Sequence, residues 1–289
     1  MARHSPCIGI CKLDEATGFC LGCGRTGPEI GDWIAMSESQ RDALWEKLPE
    51  RLAALSVRVR LLPMIRDELV DWVAEGIEAG SGTWVVGAPG AIAEFPSRSE
   101  QTIRVDIDGG VLTARRSDAS LRLFLTEKVR AFAFNDGGPI VLGLPRGRAG
   151  LASAAGLRSL GPDTAAIDEA QRNEQLFDMG IGRQYTRFCV RTGDEVLVSM
   201  LSDNDGRHWS QAMPLIQSKL VDVGPHRVVE SAAARIEVFT KIPLPGELSP
   251  AGARTHFLPE FLKSGEEIAA GLSPPDYAAP VAIFYPNKT

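Results

Sequence analysis

The chain has 289 residues, 44% of them hydrophobic and 24% charged, with a formal net charge of -6. That is enough apolar material for a substantial core without metals or disulfides, and the acidic balance excludes a general nucleic-acid binder, whose affinity rests on neutralising phosphates. No basic module hides behind the total: residues 1–60 hold eight Lys plus Arg against eight Asp plus Glu, leaving 23 against 29 for the rest.

Met1 to Cys7 lack the apolar stretch of roughly 7 to 15 residues that a secretory signal needs. No apolar run approaches the roughly 18 residues of a membrane span. The expectation is a cytoplasmic protein without a membrane partner. Four of the five cysteines, Cys7, Cys11, Cys20 and Cys23, fall within seventeen residues. In a reducing compartment such clustering favours metal ligation over disulfides. The pattern is Cys-x3-Cys-x8-Cys-x2-Cys. Its second half, Cys20-Leu21-Gly22-Cys23-Gly24, is similar to the knuckle of rubredoxins and zinc ribbons, where a glycine after the second cysteine takes positive φ. The expected ligands are Cys7, Cys11, Cys20 and Cys23, holding Zn2+ or an iron-sulfur cluster, which sequence does not distinguish. Four protein sulfurs close a zinc site, so ligation rather than chemistry is expected there.

Thr17-Gly18 has the composition of a hairpin turn, and Thr26 with Glu29 the spacing of a capping box, with Pro28 allowed in the first helical turn. A helix is expected from there, carrying Ile30, Trp33 and Ile34, its positive end toward Cys20 and Cys23. Ser37 to Gln40 opens a second helix with Leu44, Trp45 and Leu48, which Pro49 is expected to interrupt or restart. From Met64 to Ala79 apolar residues recur at helical spacing until Gly80-Ser81-Gly82 ends the pattern.

Short apolar runs then alternate with turn formers from Thr83 to Leu144, which reads as an antiparallel meander. A helix is expected from Asp163 to about Leu176, a strand over 185–191, helices near 194–201 and 209–220, and strands over 227–230 and 235–240. The proline-rich tail is expected to wrap as ordered loop, burying Phe257, Leu258, Phe261, Leu262, Ile283 and Tyr285. The fold class is therefore α+β: a small helical four-cysteine module over 1–60, a connecting helix over 61–80, and a larger mixed domain over 81–289 with a mainly antiparallel sheet.

Residues 4–60, through the four cysteines, Leu13-Asp14, Thr17-Gly18, Gly22 to Thr26, Glu29-Ile30, Trp33 and Leu48-Pro49-Glu50-Arg51, closely resemble a small bacterial family, domain of unknown function 1289. Its members are commonly labelled predicted iron-sulfur proteins. The resemblance implies a metal or cluster and carries no activity. Residues 80–289 are faintly similar to uncharacterised alphaproteobacterial proteins, through segments such as Leu160 to Asp163, Leu176 to Gly182 and Arg235 to Val238. Those relatives are expected to carry a second histidine where this chain has Arg254.

In the larger domain His226, His256, Glu94, Asp163, Asp178 and Glu237 are polar residues in apolar or Gly-Pro settings. His226, His256, Glu94, Asp178 and Glu237 are the catalytic candidates should they converge in one cleft. The competing reading is that each makes ordinary structural hydrogen bonds. Arg183, Arg187 and Arg191 alternate along one strand and are either an anion site or ion-paired. Cys189 is expected in the core. Phosphate-loop, dinucleotide-binding and Gly-x-Ser-x-Gly patterns are absent. Two functions follow: a metal-binding protein acting in metal or redox physiology or docking, and, as the alternative, an enzyme with its site in residues 80–289 and the cysteine module as support or electron relay. The protein partner is left open.

Overall fold

The computed structural model describes residue 6 and residues 13–20, 23–55, 59–88, 91–98, 101–134, 138–151, 154–181, 185–241, 254–255 and 278–287. The chain divides into two compact units, residues 1–58 with 269–273, and residues 59–268 with 274–289.

In the first unit Asp14 and Phe19 close a tight turn, the Asp14 N–H donating to the Phe19 carbonyl at 2.8 Å. The Asp14 carboxylate accepts from the Thr17 backbone and hydroxyl. Helix α1 (Gly27–Gly31) opens with the expected capping box, Thr26 Oγ1 accepting from Glu29 N and Glu29 Oε2 from Thr26 N. A 3-10 turn follows at Asp32–Ile34, then α2 (Glu38–Ala54), whose first turn is capped reciprocally by Ser37 and Gln40. Contrary to expectation, α2 runs unbroken through Pro49. Proline removes one intrahelical hydrogen bond, but α2 is held on both sides of it. Leu44 and Leu48 pack with Trp33, and Arg51 forks onto Glu29 at 2.7 and 3.2 Å.

The second unit is a sandwich of two antiparallel sheets. The first, seven-stranded, contains β1 (Val59–Leu61), β2 (Gly82–Ala88), β3 (Ala91–Pro96), β7 (Arg130–Phe134), β8 (Ile140–Pro145), β14 (Arg254–Thr255) and β15 (Ala278–Pro286), in the order β1-β7-β8-β15-β2-β3-β14. The second, eight-stranded, contains β4 (Arg104–Asp108), β5 (Val111–Arg115), β6 (Ala119–Phe124), β9 (Arg158–Pro162), β10 (Gln175–Asp178), β11 (Thr186–Thr192), β12 (His226–Ser231) and β13 (Ala234–Val238), in the order β4-β5-β6-β13-β12-β11-β10-β9. The expected meander is antiparallel throughout, but its hairpins are dealt alternately to the two sheets. Period-two patterning specifies which face of a strand is buried, not which sheet the strand joins.

Trp84, Val86, Ala93 and Phe95 from one sheet meet Phe188, Val190, Val229 and Ile236 from the other in a shared core. Helix α3 (Arg66–Glu78) adds Leu69, Val70, Val73 and Ile77 to this core, so it packs as part of the larger unit. Helices α4 (Glu195–Ser202) and α5 (Trp209–Val223) contribute Leu197, Leu201, Met213, Ile216 and Leu220. Among the described residues no helix is long and apolar enough to cross a membrane.

Two expectations are corrected. The segment expected as a helix from Asp163 instead holds a 3-10 turn at Glu169–Gln171 before β10 begins at Gln175. Its backbone is bound elsewhere: Ile167 N donates to Glu237 Oε1 at 3.1 Å and Asp163 N to the Glu174 carbonyl at 2.9 Å. In the tail, residues 278–286 form a strand inside the first sheet, between β8 and β2. Pro280 borders the register shift in its pairing with β8, where a missing N–H is tolerated. Ile283 is buried in that strand; Phe257, Leu258, Phe261 and Leu262 lie outside the described residues.

Candidate functional site

The cysteine turn is built by backbone hydrogen bonds around Cys20. Its carbonyl accepts from Cys23 N at 3.2 Å and Gly24 N at 2.7 Å, while its own N–H donates to the Arg25 carbonyl at 2.7 Å. Gly24 has φ 72°, the left-handed conformation that lets the chain reverse there and that a side chain would strain. Both thiols are buried and neither forms a disulfide.

Arg25 is buried with them. Its Nε donates to Cys23 Sγ at 3.3 Å, and its guanidinium lies over the Trp33 ring at 5.0 Å. Burial pushes the Cys23 thiol up, but the hydrogen bonds and charge of Arg25, with a further bond from Cys20, bring it below the ordinary thiol value. Arg51 reaches the same turn from α2, donating to the Gly24 carbonyl at 3.3 Å while paired with Glu29. Two buried thiols on a reversing turn, one bonded to an arginine, fit the donor chemistry of a thiolate-bound ion or cluster. Cys7 and Cys11 lie outside the described residues. Among the described residues no group of three or more His, Cys, Asp or Glu is placed to hold a metal.

Among the described residues the catalytic candidates of the larger unit do not converge in one cleft. Glu94 pairs with Val85 on the outer face of the seven-stranded sheet, because its neighbours Ala93 and Phe95 point into the core. Glu237, His226 and Asp178 lie on the outer face of the other sheet, across the sandwich. His256 lies outside the described residues. Asp178 sits three strands from Glu237 along one row, roughly 14 Å at ordinary strand spacing. Its carboxylate accepts from Gly180 N at 2.8 Å and Ala154 N at 2.9 Å. Gly180, at φ 67°, passes so close to Gly156 that a Cβ there would lie 2.6 Å from its backbone carbon. Asp178 therefore holds a tight backbone crossing.

Glu237 and His226 are joined through Arg191, whose guanidinium is wholly buried. Its Nη1 meets Asp163 Oδ2 at 3.0 Å and Glu237 Oε2 at 2.8 Å, and its Nη2 donates to Gln171 and, at 3.1 Å, to His226 Nδ1. Arg235 binds Glu237 at 2.7 Å, Glu230 at 2.8 Å and Asp163; Arg187 binds Glu230 at 2.6 Å. Three arginines thus face Asp163, Glu230 and Glu237, with half-exposed Glu174 at 3.6 Å from Arg191 Nε on the edge of the network. Burial opposes ionisation of Glu237, but Arg235 and Arg191 keep its carboxyl below the usual range. Burial, then the Arg191 charge, lowers the His226 ring to about 4. Since a guanidinium only donates, Nδ1 is an acceptor and the ring is neutral at pH 7.

Arg187 and Arg191 are ion-paired rather than available to an external anion; Arg183 lies outside the described residues. Cys189 is fully buried with Leu176 and Val228, and burial raises its thiol well above the ordinary value. Sequence reasoning missed the network as a unit, although Arg187, Cys189 and Arg191 alternate on one strand and Arg235 and Glu237 on another. Cross-strand register, not one strand's pattern, puts these charges in contact.

Residues 5–52 match a family described as a protein of unknown function (DUF1289). The same segment is similar to the uncharacterized protein YdhL of Escherichia coli K12 and of Shigella flexneri, 41% identical over 49 residues in each case. That match covers 17% of this chain, and the chain spans 61% of the length of these curated relatives. No solved structure matches the chain. Residues 68–289, which contain both sheets except β1, match the family of unknown function DUF6925, and the chain belongs to that family.

Proposed function

We propose that this is a cytoplasmic metal-binding protein in which Cys7, Cys11, Cys20 and Cys23 hold a zinc ion or an iron-sulfur cluster. The observation that carries the reading is the Cys20–Gly24 turn, with its doubly bonded Cys20 carbonyl, left-handed Gly24 and two buried thiols beside Arg25. Thiolates need positive surroundings to stay ionised. Arg25 supplies them at Cys23 Sγ, offsetting part of the net charge of about minus two on a divalent ion with four thiolates. A site with four protein ligands leaves no position for substrate, so its role is structural, electron-carrying or docking.

Anaerobic purification followed by metal and acid-labile sulfide analysis, with a visible spectrum, tests this reading. A stoichiometric metal is expected, colourless for zinc and coloured for iron-sulfur. Freshly prepared protein with no stoichiometric metal and four free thiols in the segment would refute it.

A further inference from the structure

On the outer face of the eight-stranded sheet Asp106, Thr113, Arg122, Arg235, Glu230 and Arg187 stand opposite one another in a single row across six strands. From Arg235 to Arg187 each guanidinium meets a carboxylate. Arg122 breaks the pattern, because it faces Arg235, and like charges directly opposite destabilise a sheet. The carboxylates that would relieve it, Asp163, Glu230 and Glu237, already hold Arg235.

Among the described residues Arg122 makes no ion pair; its Nη1 donates to the Ala165 carbonyl at 3.0 Å. Two further arginines crowd it. Arg115 is held by Asp106 at 2.5 Å. Arg172 spends Nη1 on Glu169 at 3.1 Å, while its buried Nε has no hydrogen-bond partner. Half-buried Arg122 and Arg172 border one cavity of about 390 Å3, within the range of small-molecule sites, whose lining also includes Asp106 and Asp108. Thr113 lines it, and in the next row Val111 and Phe124 stand side by side, with Asp108 opposite Val111 and Phe124 38% exposed. A large apolar side chain left open beside Arg122, which no carboxylate among the described residues pairs with, suits a ligand with both an acid group and an apolar body.

We infer that this cleft binds a small organic anion, its phosphate or carboxylate held by Arg122 and Arg172 and its apolar body resting on Val111 and Phe124. The site is independent of the metal centre and stands whether or not residues 7–23 hold a metal. Isothermal titration of the full chain at low salt tests it with phenyl phosphate, benzoate, inorganic phosphate and phenol.

Saturable binding of phenyl phosphate or benzoate is expected, the stronger of the two identifying the acid group. Arg122→Gln, Arg172→Gln and Phe124→Ser should each weaken it at least tenfold, and Arg158→Gln, at an exposed strand position outside the cavity, should leave it unchanged. Arg172 lies at the surface, so its variant keeps the test valid should Arg122→Gln not fold. Absence of saturable binding by both aromatic anions would overturn the inference, as would undiminished affinity in the folded arginine variants. Equal affinity for phenol would remove the arginines from the account, and equal affinity for inorganic phosphate would remove Val111 and Phe124.

Discussion

Replacing Arg191 with methionine removes the centre of the buried charge network while keeping an unbranched side chain of comparable length. The wild-type network sets Arg187, Arg191 and Arg235 against Asp163, Glu230 and Glu237. The variant leaves two cations against these three carboxylates, apart from half-exposed Glu174, on a face where Arg191 and Glu237 have no solvent exposure and Asp163 has 1%. It also strips His226 Nδ1 and Gln171 of a donor. Removing one partner of a buried ion pair costs about 3–5 kcal/mol, a large part of the stability of an ordinary domain. For a unit of this size that corresponds to a fall in Tm of roughly 6–20 °C.

Urea denaturation followed by circular dichroism measures the loss, with the second unit's transition scored separately. The double variant Arg191→Met, Glu237→Gln leaves Arg187 and Arg235 against Asp163 and Glu230, an equal count among the more deeply buried groups. It should be less destabilised than the sum of its single variants, by about 0.5–3 kcal/mol. A change below about 1 kcal/mol in Arg191→Met would refute the idea that unpaired buried carboxylates dominate the cost. It would mean that the face is hydrated enough to tolerate them.

The depressed His226 pKa makes the larger unit pH-sensitive. Between the ordinary value of 6.5 and about 4 the unfolded ring takes up a proton that the folded ring refuses, so stability is full above 6.5 and declines as pH falls through that window. An NMR titration should place His226 near 4 and show no such step in His226→Asn; titration near 6.5 would contradict the burial argument. In the smaller unit, Gly24→Ala forces a Cβ into the left-handed region at φ 72° and should destabilise the cysteine turn by about 1 kcal/mol, read as weaker metal retention against a chelator. Cys20→Ser or Cys23→Ser should unfold residues 7–60 and leave the sandwich intact, visible as selective proteolysis of the amino-terminal segment. Collapse of both units together would show that they fold as one.

Much of this architecture is legible locally. The Thr26–Glu29 and Ser37–Gln40 caps, the helical stripe of α3 and the positive φ at Gly24 each depend on residues a few positions apart. What sequence concealed is non-local. Ile283 reads as part of a proline-rich tail, yet β15 is gripped by β8 and β2, whose sequences lie far upstream. Asp163 reads as the start of a helix, but its carboxylate is claimed by Arg191 and Arg235 from two other strands. His226 and Glu237 read as polar groups in apolar surroundings; their role changes once register supplies Arg191 as their common neighbour. Arg122 gave no signal because its meaning depends on facing Arg235 across a strand pair.

The central claim concerns the four cysteines, and X-ray absorption at the edge of the bound metal tests it most directly. A first shell of sulfur alone, at about 2.3 Å, is predicted for the native chain, with the metal lost or its shell altered in Cys7→Ser, Cys11→Ser, Cys20→Ser and Cys23→Ser alike. A shell dominated by oxygen or nitrogen, or one unchanged by all four substitutions, would contradict it.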